Sequence, residues 1–295
     1  MYLTGFADEA AVSIDDQIRA TKQLGWSRIE MREVNGKAFT DLDDREFDAV
    51  FGALDKAGVR VNCFGSRIAN WSKQIDRPFD SCLQEARIAI PRMKRLGTTL
   101  VRIMSFAVLK DRAAEDQMEA ERFTRVRELH KLFAGEGLAP VHENCMNYGG
   151  MGWTYTLRLL ENVPGLKLVF DTGNPVSSED RTQKPPFPRQ SSWEFYQHVR
   201  DHVAYVHIKD GVWDEASKRV TWTFPGEGQG DVKRILKNLL DRGYDGGFSM
   251  EPHMKVVYHE QTPAAEAVAR LANYVEYGRR FERLIREAGH GDTLC

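Results

Sequence analysis

Four residues at the ends of four apolar segments have the types that hold a divalent cation: Glu143, Asp171, His207 and Glu251. Three carboxylates and one imidazole make a mostly oxygen donor set. That set suits one Mn²⁺, Mg²⁺ or Co²⁺ ion better than the Zn²⁺ of a thiolate-rich site. An ion held this way, with positions left for substrate oxygens, can polarise a carbonyl as a Lewis acid. A carboxylate beside it can take a proton from the neighbouring carbon. Other polar groups fall at comparable places: Glu30 and Arg32, Asn62 and Ser66, Arg102, Lys209 and His253.

The spacing of these groups matters as much as their type. In a strand, residues two apart share a face. The polar face here alternates with an apolar one: Ile29 and Met31 flank Glu30, Val61 and Cys63 flank Asn62, and Val101 and Ile103 flank Arg102. On this parity Phe64 and Met104 also face inward, whereas Cys63 and His142 face outward. A strand covered on both sides should be apolar on both, and buried charges are costly unless paired or bound to a metal. A salt-bridge network of Arg32, Arg102 and Lys209 with the carboxylates would account for any one of these residues. Four of them at the same place on four consecutive strands favour the cation.

Eight strand-like segments position these side chains: Tyr2–Asp8, Arg28–Val34, Arg60–Ser66, Leu100–Phe106, Ala139–Cys145, Lys167–Thr172, Ala204–Asp210 and Gly247–Pro252. Segments of helical period lie between them, near 15–25, 44–57, 78–96, 113–135, 154–162, 192–201, 231–242 and 264–287. Asp15 and Asp16 mark a helix start. Gly25, Gly58, Gly97, Gly137 and Gly243 fall where helices should end on a left-handed residue. Eight uninterrupted β-then-α units predict a single-domain α/β chain, a (β/α)8 TIM barrel spanning residues 1–295. The loops 175–190 and 211–230 are long and follow strands six and seven, where barrel enzymes build lids and specificity. The second carries Trp213, Trp222 and a Gly-rich turn, Gly226–Gly230, that is a weak phosphate-cradle candidate.

Bulk properties narrow the function classes. The 41 basic residues nearly balance 43 acidic ones, so no basic excess calls for nucleic acid. No run of 18 apolar residues is present to span a membrane. The irregularly spaced Cys63, Cys82, Cys145 and Cys295 form neither a disulfide framework nor a zinc ribbon, which places the chain in a reducing cytoplasm. Small, neutral or polar substrates fit this balance better than polyanions do, and self-association into a homo-oligomer is compatible with it.

Several segments carry a family resemblance. These are VHEN (Val141–Asn144), VFDTG (Val169–Gly173), VHIKD (Val206–Asp210) and SMEP (Ser249–Pro252), in that order, with CFGS (Cys63–Ser66) and Asn70–Trp71. The chain resembles the xylose isomerase-like TIM barrel superfamily, in particular the sugar phosphate isomerase/epimerase group with its ketose 3-epimerases. The resemblance implies that Glu143, Asp171, His207 and Glu251 bind the metal and that Glu143 and Glu251 form the acid/base pair. The implied activity is isomerisation or epimerisation of a ketose or keto-sugar through an enediolate whose charge the metal offsets. Arg102, Glu30, Lys209 and His253 would position hydroxyls, and Trp71 would wall the sugar.

The chain departs from the group's pattern at two substrate-facing positions. Asn174 stands where a histidine is usual, and Lys209 stands near where an arginine is expected. Proton abstraction beside a ketone also begins β-elimination, so a metal-dependent lyase or dehydratase acting on a keto-sugar, keto-glycoside or keto-inositol is the alternative. An apurinic endonuclease-like hydrolase would need a multi-zinc cluster and a basic groove, and the balanced charge argues against one. A non-catalytic sugar-binding barrel would be expected to have lost a ligand or a base, and none of the four is missing.

Overall fold

Segments rich in Val, Ile, Leu and Phe alternate with amphipathic ones along the chain, and each pair becomes a strand followed by a helix. The computed structural model describes residues 1–254 and 263–293. Its barrel strands are β1 (Tyr2–Gly5), β2 (Arg28–Met31), β3 (Arg60–Gly65), β4 (Leu100–Ile103), β5 (Ala139–Glu143), β6 (Lys167–Asp171), β7 (Val203–Ile208) and β8 (Gly247–Met250). They pair in parallel in the order β1-β8-β7-β6-β5-β4-β3-β2. The ring closes where Phe6 bridges Glu30, just past the end of β1. The (β/α)8 expectation therefore holds.

The main helices are α1 (Ile14–Gln23), α2 (Asp44–Ala57), α3 (Asp80–Leu96), α4 (Glu119–Ala134), α5 (Trp153–Asn162), α6 (Ser192–Val199), α7 (Val232–Asp241) and α8 (Pro263–Glu287). Their ends follow local chemistry. Asp43 and Glu46 form a reciprocal capping box at the start of α2. Gly58 and Gly97 end α2 and α3 at φ 63° and 68°, in the left-handed region that glycine enters without steric cost. No described helix is long and apolar enough to cross a membrane.

Three differences from the sequence reading have identifiable causes. The strands end one to three residues earlier than the apolar pattern does, and between β5, β6 and β7 side chains take over the backbone pairing at the barrel mouth. The Asn144 amide donates to Asp171 O at 3.0 Å, and its Oδ1 accepts from Asp171 N at 2.7 Å. Thr172 Oγ1 accepts from Lys209 N at 3.0 Å and donates to Lys209 O at 2.6 Å. Each pair imitates one further rung of the ladder while freeing the backbone to turn outward.

The second difference is in strand parity. The register between β2 and β3 shifts between Ile29 and Glu30, so that Ile29 opposes Val61 and Glu30 opposes Cys63. Asn62 is the extra residue of this bulge, and a bulge reverses the parity beyond it. Cys63 therefore packs in the lumen with Val141, Val169 and Tyr205. Phe64 joins the layer beneath the helices, its ring 5.0 Å from that of Phe39. Both are the reverse of the alternation read from sequence.

The third is that α4 starts at Glu119 rather than near 113. The Gln117 side chain accepts from Leu109 N at 2.9 Å and donates to Leu109 O at 3.0 Å, closing 109–117 as a loop. Beneath it lies the fully buried Arg122. Its guanidinium donates to Ser105 O at 2.6 Å, Ala107 O at 2.8 Å and Gln117 O. Burial lowers its pKa to about 10.

Removing this guanidinium would strand buried carbonyls, each costing about 1–3 kcal/mol. Arg122→Met is therefore expected to destabilise the protein by about 3 kcal/mol or more. A urea midpoint within experimental error of the parent would show that the clamp contributes nothing to stability.

Candidate metal centre

The strand ends deliver their side chains to one point. Asp171 on β6 and His207 on β7 are register partners, and His207 in turn pairs with Ser249 on β8. Glu251 lies two residues beyond Ser249 on the same face, and Glu143 ends β5. All four are buried. One donor atom from each of Glu143, Asp171, His207 and Glu251 lies within 4.8 Å of every other.

Each group is oriented from behind. Asp171 Oδ1 accepts from Gly173 N at 2.8 Å and Asn174 N at 2.7 Å, which turns Oδ2 toward the centre. His207 Nε2 lies 3.1 Å from Glu30 Oε2, and its Nδ1 faces Glu143 Oε1 at 3.3 Å. Glu30 is further fixed by the Tyr205 hydroxyl, which donates to Oε2 at 2.9 Å. The Asn62 amide lies 2.8 Å from that hydroxyl and 2.7 Å from Thr4 Oγ1. The ring of Phe6 meets that of His207 edge-on at 5.1 Å. A carboxylate behind an imidazole whose other nitrogen faces open donors is the usual support for a metal-binding histidine.

Cations surround the cluster. Arg102 Nη1 is 3.2 Å from Glu143 Oε2. Lys209 Nζ lies 3.0 Å from both Asp171 Oδ2 and Glu251 Oε2. Arg32 spans Asp8 at 2.7 Å, Glu9 at 3.3 Å and Glu251 at 3.2 Å. His253 sits between Glu9 at 3.1 Å and Glu251 at 3.3 Å. Burial alone would raise the pKa of Glu30, but the charges of His207 and Arg102 hold it below the usual carboxylate range. Burial likewise opposes ionisation of Glu251, and Lys209 and His253 hold its pKa well below that range.

The residues present fit a divalent ion. Among the described residues, the six carboxylates of Asp8, Glu9, Glu30, Glu143, Asp171 and Glu251 face Arg32, Arg102 and Lys209 and the imidazoles of His207 and His253. Burial would lower the pKa values of these two imidazoles, but the carboxylates raise them to about 10 and about 9. An excess of negative charge remains in a low-dielectric interior. Glu143 Oε2 and Asp171 Oδ2 are buried and accept no hydrogen bond of good geometry, although Arg102 and Lys209 lie within ion-pair range. The salt-bridge network and the metal-type cluster thus coexist. An ion at the four donors would share Asp171 and Glu251 with the Lys209 ammonium.

The structure also places the other residues read from sequence. Arg102, Asn174, Lys209, His253 and Trp71 line one cleft of about 1180 Å³ together with Glu143 and Glu251. Asn174 Nδ2 donates to Glu143 Oε1 at 3.2 Å. Glu30 does not reach the cleft. It lies under His207, 1% exposed, with Oε2 3.1 Å from the imidazole Nε2. It orients the imidazole instead of contacting substrate. His142 is fully buried on the outer face, with Nε2 3.0 Å from Ser105 Oγ.

The Gly-rich turn is not open to a phosphate. Gly226 N, Gly228 N and Gly230 N donate to the Asp210 carboxylate at 2.8, 3.0 and 2.8 Å. A Cβ on Gly228 would come within 2.4 Å of Asp210 Oδ1, so the close approach requires glycine. The turn follows a hairpin, Asp210–Asp214 with Arg219–Thr223, and pins its base at Asp210, and the hairpin brings Trp213 and Trp222 to the cleft wall. Sequence reasoning missed the roles of Asp8, Glu9 and Asn144. The inward parity of Thr4 and Phe6 continues to Asp8 and was the available signal for it.

An eight-stranded barrel with an acidic, histidine-centred cluster at its C-terminal mouth defines a class of metal-site TIM barrels. The chain belongs to the xylose isomerase-like TIM barrel family, whose model matches residues 18–274. It is 31% identical over 134 residues to an inosose dehydratase of Serratia proteamaculans, covering 41% of this chain and 38% of that protein. It is 30% identical over 168 residues to an inosose dehydratase of Yersinia enterocolitica, covering 54% of this chain and 52% of that protein. The matches thus span about half or less of these curated relatives. Among solved structures, a D-tagatose 3-epimerase-like protein superposes with TM-score 0.71 at 13% identity, covering 98% of each chain. A Mycobacterium smegmatis barrel of the same family, in complex with magnesium, gives TM-score 0.66 at 18% identity, covering 93% of this chain and 88% of that one.

Glu30 supplies a test of the centre independent of any substrate. Glu30→Gln keeps the side-chain shape and removes the charge behind His207. It is expected to weaken Mn²⁺ binding by about 10–100-fold, read by isothermal titration, with the folded state retained by circular dichroism. Unaltered Mn²⁺ affinity would mean that Glu30 does not support a metal ligand.

Proposed function

We propose that this chain is a divalent-metal-dependent lyase that removes the proton α to the carbonyl of a small polyhydroxylated ketone and expels the β-substituent. The observation that carries this reading is the asymmetry of the cluster. Glu143 keeps a buried Oε2 with no well-formed hydrogen bond. Glu251, across the centre, is held by Lys209, Arg32 and His253 together. Burial opposes ionisation of Glu143, but Arg102 and His207 hold its pKa down to about 2, so it stands in the unprotonated form a base must have, while the groups around Glu251 are suited to donate a proton.

Glu143, Asp171, His207 and Glu251 would hold the ion, which would supply Lewis-acid polarisation of the substrate carbonyl. Glu143 takes the α-proton, with Arg102 and Asn174 fixing its carboxylate. Lys209 and His253 lie where a departing oxygen can be protonated, and Lys209 also offers charge to the oxygen that becomes negative. The Trp213 and Trp222 hairpin walls the cleft and limits water. Loss of water from a keto-inositol, the activity that the name of the two curated relatives denotes, is an elimination of this type. Support from those relatives is partial, because only part of each is matched.

Epimerisation is the second reading, and it is the activity that the family resemblance implied. It is favoured by Glu143 and Glu251 lining the same cleft from two sides of the cluster. The two reactions share their first step and differ in what receives the second proton.

Proton NMR in D2O with the Mn²⁺-loaded protein separates them. With a keto-inositol, elimination yields a vinylic signal. Epimerisation yields a deuterated, inverted substrate without one, and absence of any α-exchange across keto-polyols would refute both. Glu143→Gln is expected to lower turnover by roughly 10³-fold, the middle of the range for a general base. Near-parental turnover would remove Glu143 from that role.

A further inference from the structure

The cleft is larger than a single six-membered ring requires, and it does not end at the barrel mouth. A second cavity of about 720 Å³ adjoins it, and the two share Trp71, Cys145, Met146 and Ser177 as walls. That volume alone lies within the ~300–1,000 Å³ of a drug-sized ligand site. Its far wall is the 107–111 segment, whose start is clamped by Arg122. Trp71 is 49% exposed and Met146 58%, two large apolar side chains presented at the junction. Trp71 offers a flat face for stacking, and Met146 a side chain that adapts to what it meets.

Five charged residues of nearly balanced sign line the second cavity: Lys110, Asp111, Glu179, Arg181 and Arg189. Arg181 pairs with Glu179 at 3.2 Å. Arg189 donates to Ser177 O at 2.7 Å and lies over the Trp213 ring at 3.9 Å. With both signs spread over the walls no anion site is set apart, and a neutral, flat, partly apolar group matches the exposed Trp71 and Met146.

We propose that the substrate is a keto-glycoside whose neutral, ring-bearing aglycone lies across Trp71 in the second cavity and is the group expelled. This rests on the α-proton reading above and names its substrate class. The chemistry fixes where the carbonyl must be. If the substituent leaves from C1, the proton lost is on C2 and the carbonyl stands at C3. The base takes the C2 proton, the C1–C2 double bond forms and the C1–O bond breaks. The departing oxygen receives a proton from the acid side. The products are an unsaturated keto-sugar and a neutral alcohol or phenol, with no oxidant, reductant or water consumed. An oxidation of a C3 hydroxyl must precede the step to supply such a substrate.

The probes are 4-nitrophenyl 3-keto-β-D-glucoside and an unsubstituted keto-inositol, each with the full Mn²⁺-loaded chain. The expected result is release of 4-nitrophenol. Trp71→Ala and the cavity-filling Val108→Trp should each lower kcat/KM for the aryl substrate relative to the keto-inositol by about tenfold, the scale of a lost stacking contact. Turnover of the keto-inositol without nitrophenol release would overturn the aglycone subsite and leave the lyase reading standing. Equal losses on both substrates would show that Trp71 and Val108 act only structurally, and would overturn it too. Failure to exchange an α-proton in either compound would overturn the inference together with the reading beneath it.

Discussion

The lumen of this barrel must hold more negative charge than its own cations neutralise, inside a medium that tolerates neither sign alone. Everything at the mouth is arranged around that constraint. His207 is its pivot, with Glu30 behind one ring nitrogen and Glu143, Asp171 and Glu251 before the other. Buried ion pairs add little net stability once desolvation is counted. Their persistence here therefore points to a task and not to the fold's need for them. The fold's stability comes from the apolar layer between strands and helices, which is continuous around the barrel.

The same residues that end the strands also build the centre. Asn144 and Thr172 replace backbone rungs with side-chain ones, which ties β5 to β6 and β6 to β7 at the level of Glu143, Asp171 and His207. A carboxylate must be held to within a fraction of an ångström for chemistry, and rigid strand ends with locked neighbours achieve that. Asp171 shows the economy of the arrangement: one oxygen is anchored by two backbone amides, and only the other faces the centre.

Much of this was legible in the sequence because burial in a barrel follows period-two alternation. The order of strands and helices, the glycine stops and the convergence of Glu143, Asp171, His207 and Glu251 all follow from that alternation and from helix-end chemistry. What failed was local. The extra residue Asn62 reversed the parity of β3, and nothing in the run Arg60–Ser66 distinguishes a bulge from a regular strand. Glu30 read as a substrate contact because parity gives the face of a strand and not the depth along it. The Gly226–Gly230 turn read as a turn and at most a weak anion-cradle candidate, because sequence shows the amides but not the Asp210 carboxylate that occupies them. The strand ends ran long because Asn144 and Thr172 extend the pairing without extending the strand.

Epimerases and dehydratases on this scaffold face the same first demand, a base beside a polarised carbonyl, so the four-residue centre alone cannot select between them. Selection must come from the groups that meet the second carbon. Two carboxylates in like surroundings could exchange roles as acid and base, as a reversible inversion needs. Here the surroundings are unlike. Glu251 is ringed by an ammonium, a guanidinium and the His253 imidazole, whereas Glu143 has one guanidinium, the His207 imidazole and an amide. Both carboxylates are held as anions, and what differs is the ammonium and the His253 imidazole at Glu251, donors placed to protonate a departing oxygen. The differences at Asn174 and Lys209 from the ketose 3-epimerase pattern act on these two carboxylates directly, one on each side. They are therefore the positions through which a shared first step can be turned toward elimination.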